Sequence, residues 1–482
     1  MQKKAIVIHP PFLEPHRPPI SCAIIAEVFR LNNFDVTAID LNIELFHELG
    51  SDKYYDCQNN HSIMQETEIQ KDAINKIFSL YLTPDAFADI DFVAISCFSY
   101  WNIRMTEDIC RHIRSICQSK IIIGGPGLEY KQAGQRIYDQ KLTDYYVVGE
   151  GEIALDSIIK GLDNIAGVNG NPPEQINDIE NLPLPNYGFF DLNKYDWLLD
   201  APDVLIYGSR GCVRKCTFCD IEHYWPKFRY RSGVSIAEEM ISNYERFGVR
   251  YFYFADSLVN GTLKEFEKFS ERLASYKENF FRWAGYAIVR PRGQHSANHF
   301  DVVKASGAWQ WAVGIESGVD RIRFEMKKKF TNDDIDWHLE QCQRIGLRNL
   351  FLMIPTWHTE TLEEHNQYLE VFPRWKHFAV DGTILGLGLT STVDMMPTAP
   401  VGKLEGKEYF FDPIISTDNL KLRGMSWLNP RNPGLTHKEK FRRTLAVYDT
   451  AIQNQWPLHD RVAKLMELKS NMQGIASKLR AK

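Results

Sequence analysis

The sequence lacks any long uninterrupted apolar run. No segment approaches the roughly 20 apolar residues that a membrane-spanning helix needs. Residues 1–4 lead directly into a strand-like segment, without the apolar core of a signal peptide. With 482 residues, 44% of them apolar and 24% charged, the composition is that of a globular chain of about two or three domains. We therefore expect a cytoplasmic protein that does not contact a membrane.

The chain also lacks a strong excess of charge of either sign. Its 56 basic and 62 acidic residues give a net charge of −6, so nucleic acid is not an expected partner. Cysteine is not used as a disulfide scaffold, because the nine cysteines are odd in number and three of them lie within eight residues. This usage predicts a reducing compartment in which some thiols bind a metal.

Strand and helix patterns alternate through residues 1–164. Short β-branched runs predict buried strands at 5–9, 35–40, 92–96, 120–123 and 145–148. Helical patterns lie between them, at 20–31 and 103–117, and residues 41–90 form a long, mostly helical insertion. This alternation predicts an α/β domain with a doubly wound, Rossmann-like parallel sheet.

Small or acidic residues follow the ends of four predicted strands. They are Pro10 and Pro11, then Ser96, then Gly124, Gly125 and Pro126, and finally Gly149, Glu150, Gly151 and Glu152. Ligands of open α/β sheets bind beyond the carboxyl ends of the strands, where small residues let the backbone approach closely. We interpret these loops as a candidate ligand site, with ordinary tight turns as the alternative.

A second alternating region follows residues 165–203, which are punctuated by glycine and proline and predict a linker. Strands are predicted at 204–207, 250–254, 282–288, 310–315, 349–353 and 383–387. Helices are predicted at 235–247, 263–277, 297–306, 333–345 and 362–372. Six such units predict a partial (β/α)6 barrel over residues 204–390. Residues 391–482 predict a mainly helical C-terminal region, a candidate cap for the barrel, with helices at 437–453 and from 460.

The strongest local signal is the cysteine array that follows the first barrel strand. Cys212, Cys216 and Cys219 form a CxxxCxxC pattern on one loop. Three thiolates can hold three corners of a [4Fe–4S] cluster, which usually takes four, so one iron would stay open. A structural zinc site with His223 as the fourth ligand is the alternative, because structural zinc is closed by four ligands.

This loop resembles the cluster-binding signature of the radical S-adenosylmethionine (SAM) superfamily, including the aromatic Phe218 just before the third cysteine. The resemblance implies that SAM binds the open iron and is cleaved to a 5′-deoxyadenosyl radical. It also implies SAM contacts along the barrel, at Phe218, Asp256, Ser257, Glu316, Ser317 and Ile354. The sequence departs from the family pattern at Asp256-Ser257, where many members have Gly-Gly-Glu, and after Ile354, where a glycine-rich turn is common.

The N-terminal loops and a Leu-Pro-Leu-Pro-Asn-Tyr connector at residues 182–187 resemble the cobalamin-binding class of radical SAM enzymes. The two resemblances cover about residues 1–390. They imply that cobalamin is bound by the residues named above at the four strand ends. The Asp-x-His-x-x-Gly pattern that supplies a cobalt-ligating histidine elsewhere is absent, and His9 and His16 follow the first strand instead.

The resemblance implies a cobalamin-dependent methyltransferase that methylates an unactivated carbon, or phosphorus, of a natural-product or peptide intermediate. Its implied electron source is a one-electron donor such as flavodoxin or ferredoxin. The first alternative is a radical SAM cyclase, epimerase or rearrangement enzyme, with or without cobalamin. A methylthiotransferase would need a second three-cysteine cluster, whose spacing the other cysteines do not show. A corrinoid- or metal-binding sensor without catalysis is the last alternative.

Overall fold

The computed structural model of the chain describes residues 2–62, 67–197, 199–276, 280–389, 393–411 and 426–458. These residues belong to two units. The first unit comprises Met1–Tyr207 and Glu238–Tyr253, and the second comprises Gly208–Ala237 and Phe254–Lys482. The domain limits at residues 164, 203 and 390 stay predictions.

The first unit contains a five-stranded parallel sheet. Its strands are β1 (Lys4–His9), β2 (Asp35–Asp40), β3 (Phe92–Ser96), β4 (Lys120–Gly124) and β5 (Tyr145–Val147). They lie in the order β2-β1-β3-β4-β5, and every pair is parallel. The order reverses between β1 and β3, which makes that place the switch point at which open α/β sheets bind ligands. The predicted Rossmann-like sheet is confirmed.

Helices cover both faces of this sheet. They are α1 (Ile20–Leu31), α2 (Leu41–Leu49), α3 (Ser51–Ser62), α4 (Glu68–Tyr81), α5 (Ile103–Ile116), α6 (Ala133–Asp139) and α7 (Gly151–Ile159). Alternate residues of β1 enter different cores, with Ile6 and Ile8 on one face and Ala5 and Val7 on the other. Burial on both faces explains why the strands of a parallel sheet read as continuous apolar runs.

The six strands predicted for the barrel begin within two residues of their predicted starts. β6 (Asp203–Ile206) and β9 (Tyr251–Phe254) are neighbours. In the second unit, β10 (Arg282–Ala287), β11 (Ala308–Glu316), β12 (Arg348–Met353) and β13 (Ile384–Leu389) pair in parallel in that order. Two short antiparallel pairs complete the strands, β7 (Ser209–Arg210) with β8 (Arg229–Tyr230) and β14 (Phe410–Phe411) with β15 (Trp427–Leu428).

Helices alternate with these strands, as a partial (β/α)6 barrel requires, and the predicted α/β fold class is confirmed. They are α8 (Ile221–Tyr224), α9 (Gly233–Phe247), α10 (Leu263–Ala274), α11 (Ala297–Ala305), α12 (Asp320–Glu325), α13 (Asn332–Ile345), α14 (Leu362–Leu369), α15 (Val371–Arg374), α16 (Lys376–Val380) and α17 (His437–Gln453). Trp311, on β11, packs against this helical layer. Its ring is 6.2 Å from that of Phe266 on α10 and 6.3 Å from that of Phe300 on α11.

Three helix predictions need correction or extend outside the described residues. The helix predicted at 362–372 is divided into α14 and α15, because Pro373 has no N–H to donate to the carbonyl of Leu369. The helix predicted from 460 lies outside the described residues, as does Lys277 at the end of another. The helix predicted at 437–453 is present as α17. Within the described ranges, no helix is both long and apolar enough to cross a membrane.

Candidate active site

The three cysteines lie on the loop between β7 and α8. Cys216 is buried, while Cys212 and Cys219 are half-buried. The loop begins at Gly211, whose φ of +87° is a left-handed conformation. A Cβ at this position would also lie 2.8 Å from the carbonyl oxygen of Lys227, so only glycine fits here. The amide of Cys219 donates to the carbonyl of Cys216 at 3.2 Å, which folds the end of the loop onto itself.

The backbone of Thr217 fixes the middle of this loop. Its N–H donates to the carbonyl of Met326 at 3.2 Å, and its carbonyl accepts from the N–H of Val401 at 2.7 Å. The cysteine loop is therefore attached both to the segment after α12 and to the C-terminal region.

The environment of the thiols suits an iron–sulfur cluster. Burial raises the pKa of Cys212, Cys216 and Cys219, the last to about 11. The Lys328 ammonium opposes that effect at Cys212 and Cys216. A cluster binds its cysteines as thiolates, each on a different iron, so a nearby positive charge favours the bound form.

The described part of the chain offers no group of three His, Cys, Asp or Glu side chains placed around a single metal ion. A structural zinc site requires that arrangement. A [4Fe–4S] cluster instead binds each cysteine on a different iron. The zinc alternative therefore gains no support from the described residues.

Asp256 links the end of β9 to the start of the cysteine loop. Its carboxylate accepts a hydrogen bond from the Gly208 N–H at 2.8 Å and a short one from the Ser209 hydroxyl. Asp256 is buried, and burial raises its pKa to about 7, despite these two donors. With a pKa near neutral, the carboxyl group of Asp256 would be stabilised in its ionised form by a nearby cation.

Glu316 ends β11 and forms a buried ion pair with Lys328. The carboxylate Oε1 lies 2.7 Å from the Lys328 Nζ, and both side chains are buried. Glu316 has a φ of +63°, which is uncommon for a residue with a Cβ and is typical of functional positions. Burial lowers the pKa of Lys328, but Glu316 and the thiols of Cys216 and Cys212 raise it by more.

The other predicted SAM contacts lie close to these groups. The ring of Phe218 is 6.3 Å from that of Trp357 and 5.5 Å from the Lys328 Nζ. Ile354 donates its N–H to the carbonyl of Glu316 at 2.7 Å, which joins the ends of β11 and β12. The Ser317 hydroxyl is buried and accepts from the Val319 N–H at 3.2 Å, so it caps a local turn. Ser257 follows Asp256 and is half-buried. Ligand contacts by all of these residues stay predictions.

In the first unit, the loops after β1 and β3 meet at the switch point. The side-chain amide of Asn102 donates to the carbonyl of Pro11 at 2.9 Å and ties the two loops together. The Asn102 Oδ1 is buried and has no hydrogen-bond partner among the described residues. Phe98, on the loop after β3, is 56% exposed. The Ser96 hydroxyl lies 3.3 Å from that of Ser21.

The glycines after β4 have an explanation within the protein. A Cβ at Gly125 would lie 2.5 Å from the carbonyl oxygen of Cys97, and one at Gly127 would lie 2.5 Å from that of Ser99. These glycines therefore allow the loops after β3 and β4 to pack backbone against backbone. Cofactor contacts at Gly124, Gly125 and Pro126 stay predictions.

The Gly149-Glu150-Gly151-Glu152 loop is likewise bound to the chain itself. The Glu150 carboxylate accepts from the Ile176 N–H at 2.7 Å, and Glu152 is buried in the first turn of α7. A Cβ at Gly149 would lie 3.0 Å from the Pro173 side chain. Direct cofactor binding by this loop also stays a prediction.

Neither His9, at the end of β1, nor His16, on the loop that follows, is an obvious metal ligand. His9 is buried, and burial lowers its pKa while Asp40 opposes that effect. The Nδ1 of His16 lies 2.7 Å from the carbonyl oxygen of Asp196.

Sequence reasoning missed Lys328 and Asn102. Lys328 is the middle residue of three consecutive lysines, a pattern that by itself indicates a solvated surface. Asn102 precedes a helix and is typical of an ordinary helix start. Only the packed structure shows that each is buried beside a predicted site.

An α/β chain with a CxxxCxxC loop after the first strand of a barrel-type sheet has the architecture of radical SAM proteins. Residues 206–372 match the family model of the Radical SAM superfamily. This part of the chain is therefore a radical SAM domain, and the domain implies a [4Fe–4S] cluster and SAM as cofactors.

A known methyltransferase is similar to part of the chain. Over 179 residues, the chain is 28% identical to cytidylyl-2-hydroxyethylphosphonate methyltransferase of Streptomyces wedmorensis, a match that covers 35% of this chain and 32% of that protein. The chain thus matches only about a third of the length of that relative.

Two solved structures are similar over most of the chain. The radical SAM methyltransferase TsrM from Kitasatospora setae, with cobalamin and a [4Fe–4S] cluster bound, gives a TM-score of 0.66 at 15% identity, covering 95% of this chain and 93% of that one. The cobalamin-dependent SAM radical enzyme OxsB, with aqua-cobalamin bound, gives a TM-score of 0.64 at 14% identity, covering 89% and 64%. Residues 206–372 thus form a radical SAM domain, and the chain has the fold of these two proteins.

Proposed function

We propose that this enzyme binds cobalamin and methylates an unactivated carbon, or phosphorus, of a natural-product or peptide intermediate. The observation that carries the proposal is the switch point of the first sheet. The loop after β3 presents an exposed Phe98, and the buried Oδ1 of Asn102, four residues further along, has no hydrogen-bond partner among the described residues. A corrin ring would offer an apolar face to Phe98, and its amide side chains would offer N–H donors to the Asn102 Oδ1.

When bound, the cluster, SAM and cobalamin supply the electron transfer, the hydrogen-abstracting radical and the methyl group. The chain's own residues hold and orient these groups. Cys212, Cys216 and Cys219 would each bind one iron, while the loop backbone keeps the three thiols in place.

Asp256 is suited to bind the methionyl amino group. A carboxylate has about four acceptor positions, and the Gly208 amide and Ser209 hydroxyl leave part of that capacity unused. With its pKa at about 7, Asp256 would be held in the ionised form by a bound ammonium group. The pair of Glu316 and Lys328 would present a carboxylate oxygen to the remaining polar groups of SAM.

Metal and product analysis tests the proposal. The full chain is purified without oxygen from cobalamin-supplied cells, and iron and cobalt are counted on one sample. We expect about four irons and about one cobalt per chain. SAM with a strong reductant should yield 5′-deoxyadenosine, and a methyl acceptor should add S-adenosylhomocysteine. Iron without cobalt, or 5′-deoxyadenosine without S-adenosylhomocysteine across acceptors, would favour the cyclase, epimerase or rearrangement alternative.

Matched variants separate the two cofactor sites. Cys216→Ala should lose iron and SAM cleavage, whereas Cys342→Ala should keep both, because Cys342 is a buried thiol on α13 away from the loop. Phe98→Glu should lower bound cobalt, whereas Phe441→Glu, at an exposed phenylalanine of α17, should not. Equal cobalt in both phenylalanine variants would contradict a corrin at the switch point.

A further inference from the structure

Three consecutive lysines, Lys327, Lys328 and Lys329, follow α12, and only the middle one is buried. Lys327 and Lys329 are exposed, and their φ angles of 62° and 59° put both in the left-handed region. These two left-handed residues turn the Lys328 side chain inward. The backbone N–H of Lys328 donates to the carbonyl of Arg323 at 2.9 Å. An ammonium group is rarely buried unless it has a charged partner, and here the partner is Glu316.

The fold leaves space for this ion pair. A Cβ at Gly314 would clash with the Glu316 Oε1 and would lie 2.7 Å from the Lys328 Nζ. Glycine on the strand therefore creates the cavity that the two charged groups occupy. Such a cavity would not be needed if Lys328 pointed to solvent like its two neighbours.

The ammonium lies beside the cysteine loop. The Lys328 Nζ is 5.5 Å from the ring of Phe218, the residue that precedes Cys219. Two residues before Lys328, the Met326 carbonyl accepts from the Thr217 amide in the middle of the loop. The buried ammonium is thus close to the loop that carries the three cysteines.

We propose that Lys328 is a positioning residue that sets the reduction potential of the cluster held by Cys212, Cys216 and Cys219. Reduction by one electron from an external donor adds one negative charge to the cluster. A buried ammonium nearby favours that charge, and a carboxylate opposes it, because charge interactions are weakly screened away from water. Removing Lys328 and removing the charge of Glu316 must therefore shift the potential in opposite directions.

The test is a redox titration of the reconstituted full chain without SAM, with the reduced cluster followed by electron paramagnetic resonance. In Lys328→Met, the ratio of reduced to oxidised cluster at a fixed potential should fall about tenfold, a shift of about 59 mV to lower potential for a one-electron couple. In Glu316→Gln the ratio should rise. Lys328→Arg, which keeps the charge, and Lys329→Met, the same substitution at the exposed neighbour, should both stay within about twofold of the parent chain.

Disturbed packing would give a different pattern. A shift of the same sign in Lys328→Met and Glu316→Gln, or an equal shift in Lys329→Met, would overturn the proposal. If Lys328→Met does not retain iron, Glu316→Gln provides the test. An unchanged reduction potential of the cluster in Glu316→Gln would then overturn the proposal. The proposal rests on the cluster assignment: a parent chain that assembles no cluster overturns both, whereas a cluster insensitive to position 328 overturns this proposal alone.

Discussion

Gly125 in the first unit and Gly314 in the second each leave space that a Cβ would fill, but different groups occupy that space. The space beside Gly125 is filled by the backbone of the neighbouring Cys97 loop, while the space beside Gly314 is filled by the buried charges of Glu316 and Lys328. The first glycine thus supports loop packing, and the second supports an electrostatic environment. A glycine near a strand end is therefore not evidence for a ligand until the structure shows what occupies the space beside it.

The largest effect is expected for Gly125→Ala. The new Cβ would meet the Cys97 carbonyl at 2.5 Å on a residue whose φ is +120°, so both a clash and backbone strain result. We expect the free energy of unfolding to fall by about 4 kcal/mol, measured by urea denaturation of the protein without cofactors. Gly434→Ala is the control, since nothing lies within 4 Å of a Cβ there. An unchanged stability with a loss of cobalt alone would mean that Gly125 serves the ligand and not the packing.

Asp256→Ala tests the charged environment of the second unit. The substitution leaves the Gly208 amide and the Ser209 hydroxyl without their buried acceptor. The free energy of unfolding should fall by about 3 kcal/mol, and the rate of 5′-deoxyadenosine formation should also fall. Asp301→Ala, at an exposed aspartate of α11, should leave both measurements near those of the parent chain. A normal stability and rate in Asp256→Ala would remove Asp256 from the site.

Acidification should weaken the second unit through its buried histidines. Burial lowers the pKa of His338 to about 4, although the Asn349 oxygen at 3.0 Å opposes that shift. Because the folded-state pKa lies below the unfolded value, the stabilising effect is complete above about pH 6.5 and is lost as the pH falls towards 4. We expect a loss of up to about 3 kcal/mol from this one group over that interval.

The pH dependence of unfolding in His338→Gln checks this expectation. The variant should show a smaller slope of unfolding free energy against pH between pH 6.5 and 4, whatever its absolute stability. His377→Gln, at an exposed histidine of α16, should keep the parent slope. Equal slopes in the two variants would show that His338 does not titrate as its burial implies.

The smallest effect is expected for Gly314→Ala, because the clashing atoms belong to side chains and not to backbone. Displacement of the ion pair should lower the free energy of unfolding by about 2 kcal/mol. The comparison with Gly125→Ala is then direct, since both add one methyl group at a filled position. If Gly314→Ala proves the more damaging of the two, the buried pair contributes more to stability than the packing of the loops.

The strands could be predicted from sequence because runs such as Ile6–Ile8 and Ile121–Ile123 are apolar throughout, as two-sided burial demands. The cysteine loop was predictable because its ligands are close together in sequence. Lys328 was not, because its burial depends on two left-handed turns and on space left by a glycine in another strand. The unpartnered oxygen of Asn102 was also hidden, since it arises only when the loops after β1 and β3 meet.

The bond from the Val401 amide to the Thr217 carbonyl has a consequence for how such proteins can be recombined. A chimera that exchanges the C-terminal region of one relative for that of another would also replace the donor that steadies the cysteine loop. Chimeras with an exchanged C-terminal region should therefore be joined after this segment, so that the native residues 393–404 stay with the barrel. We expect chimeras joined earlier to retain less iron than chimeras joined after residue 404.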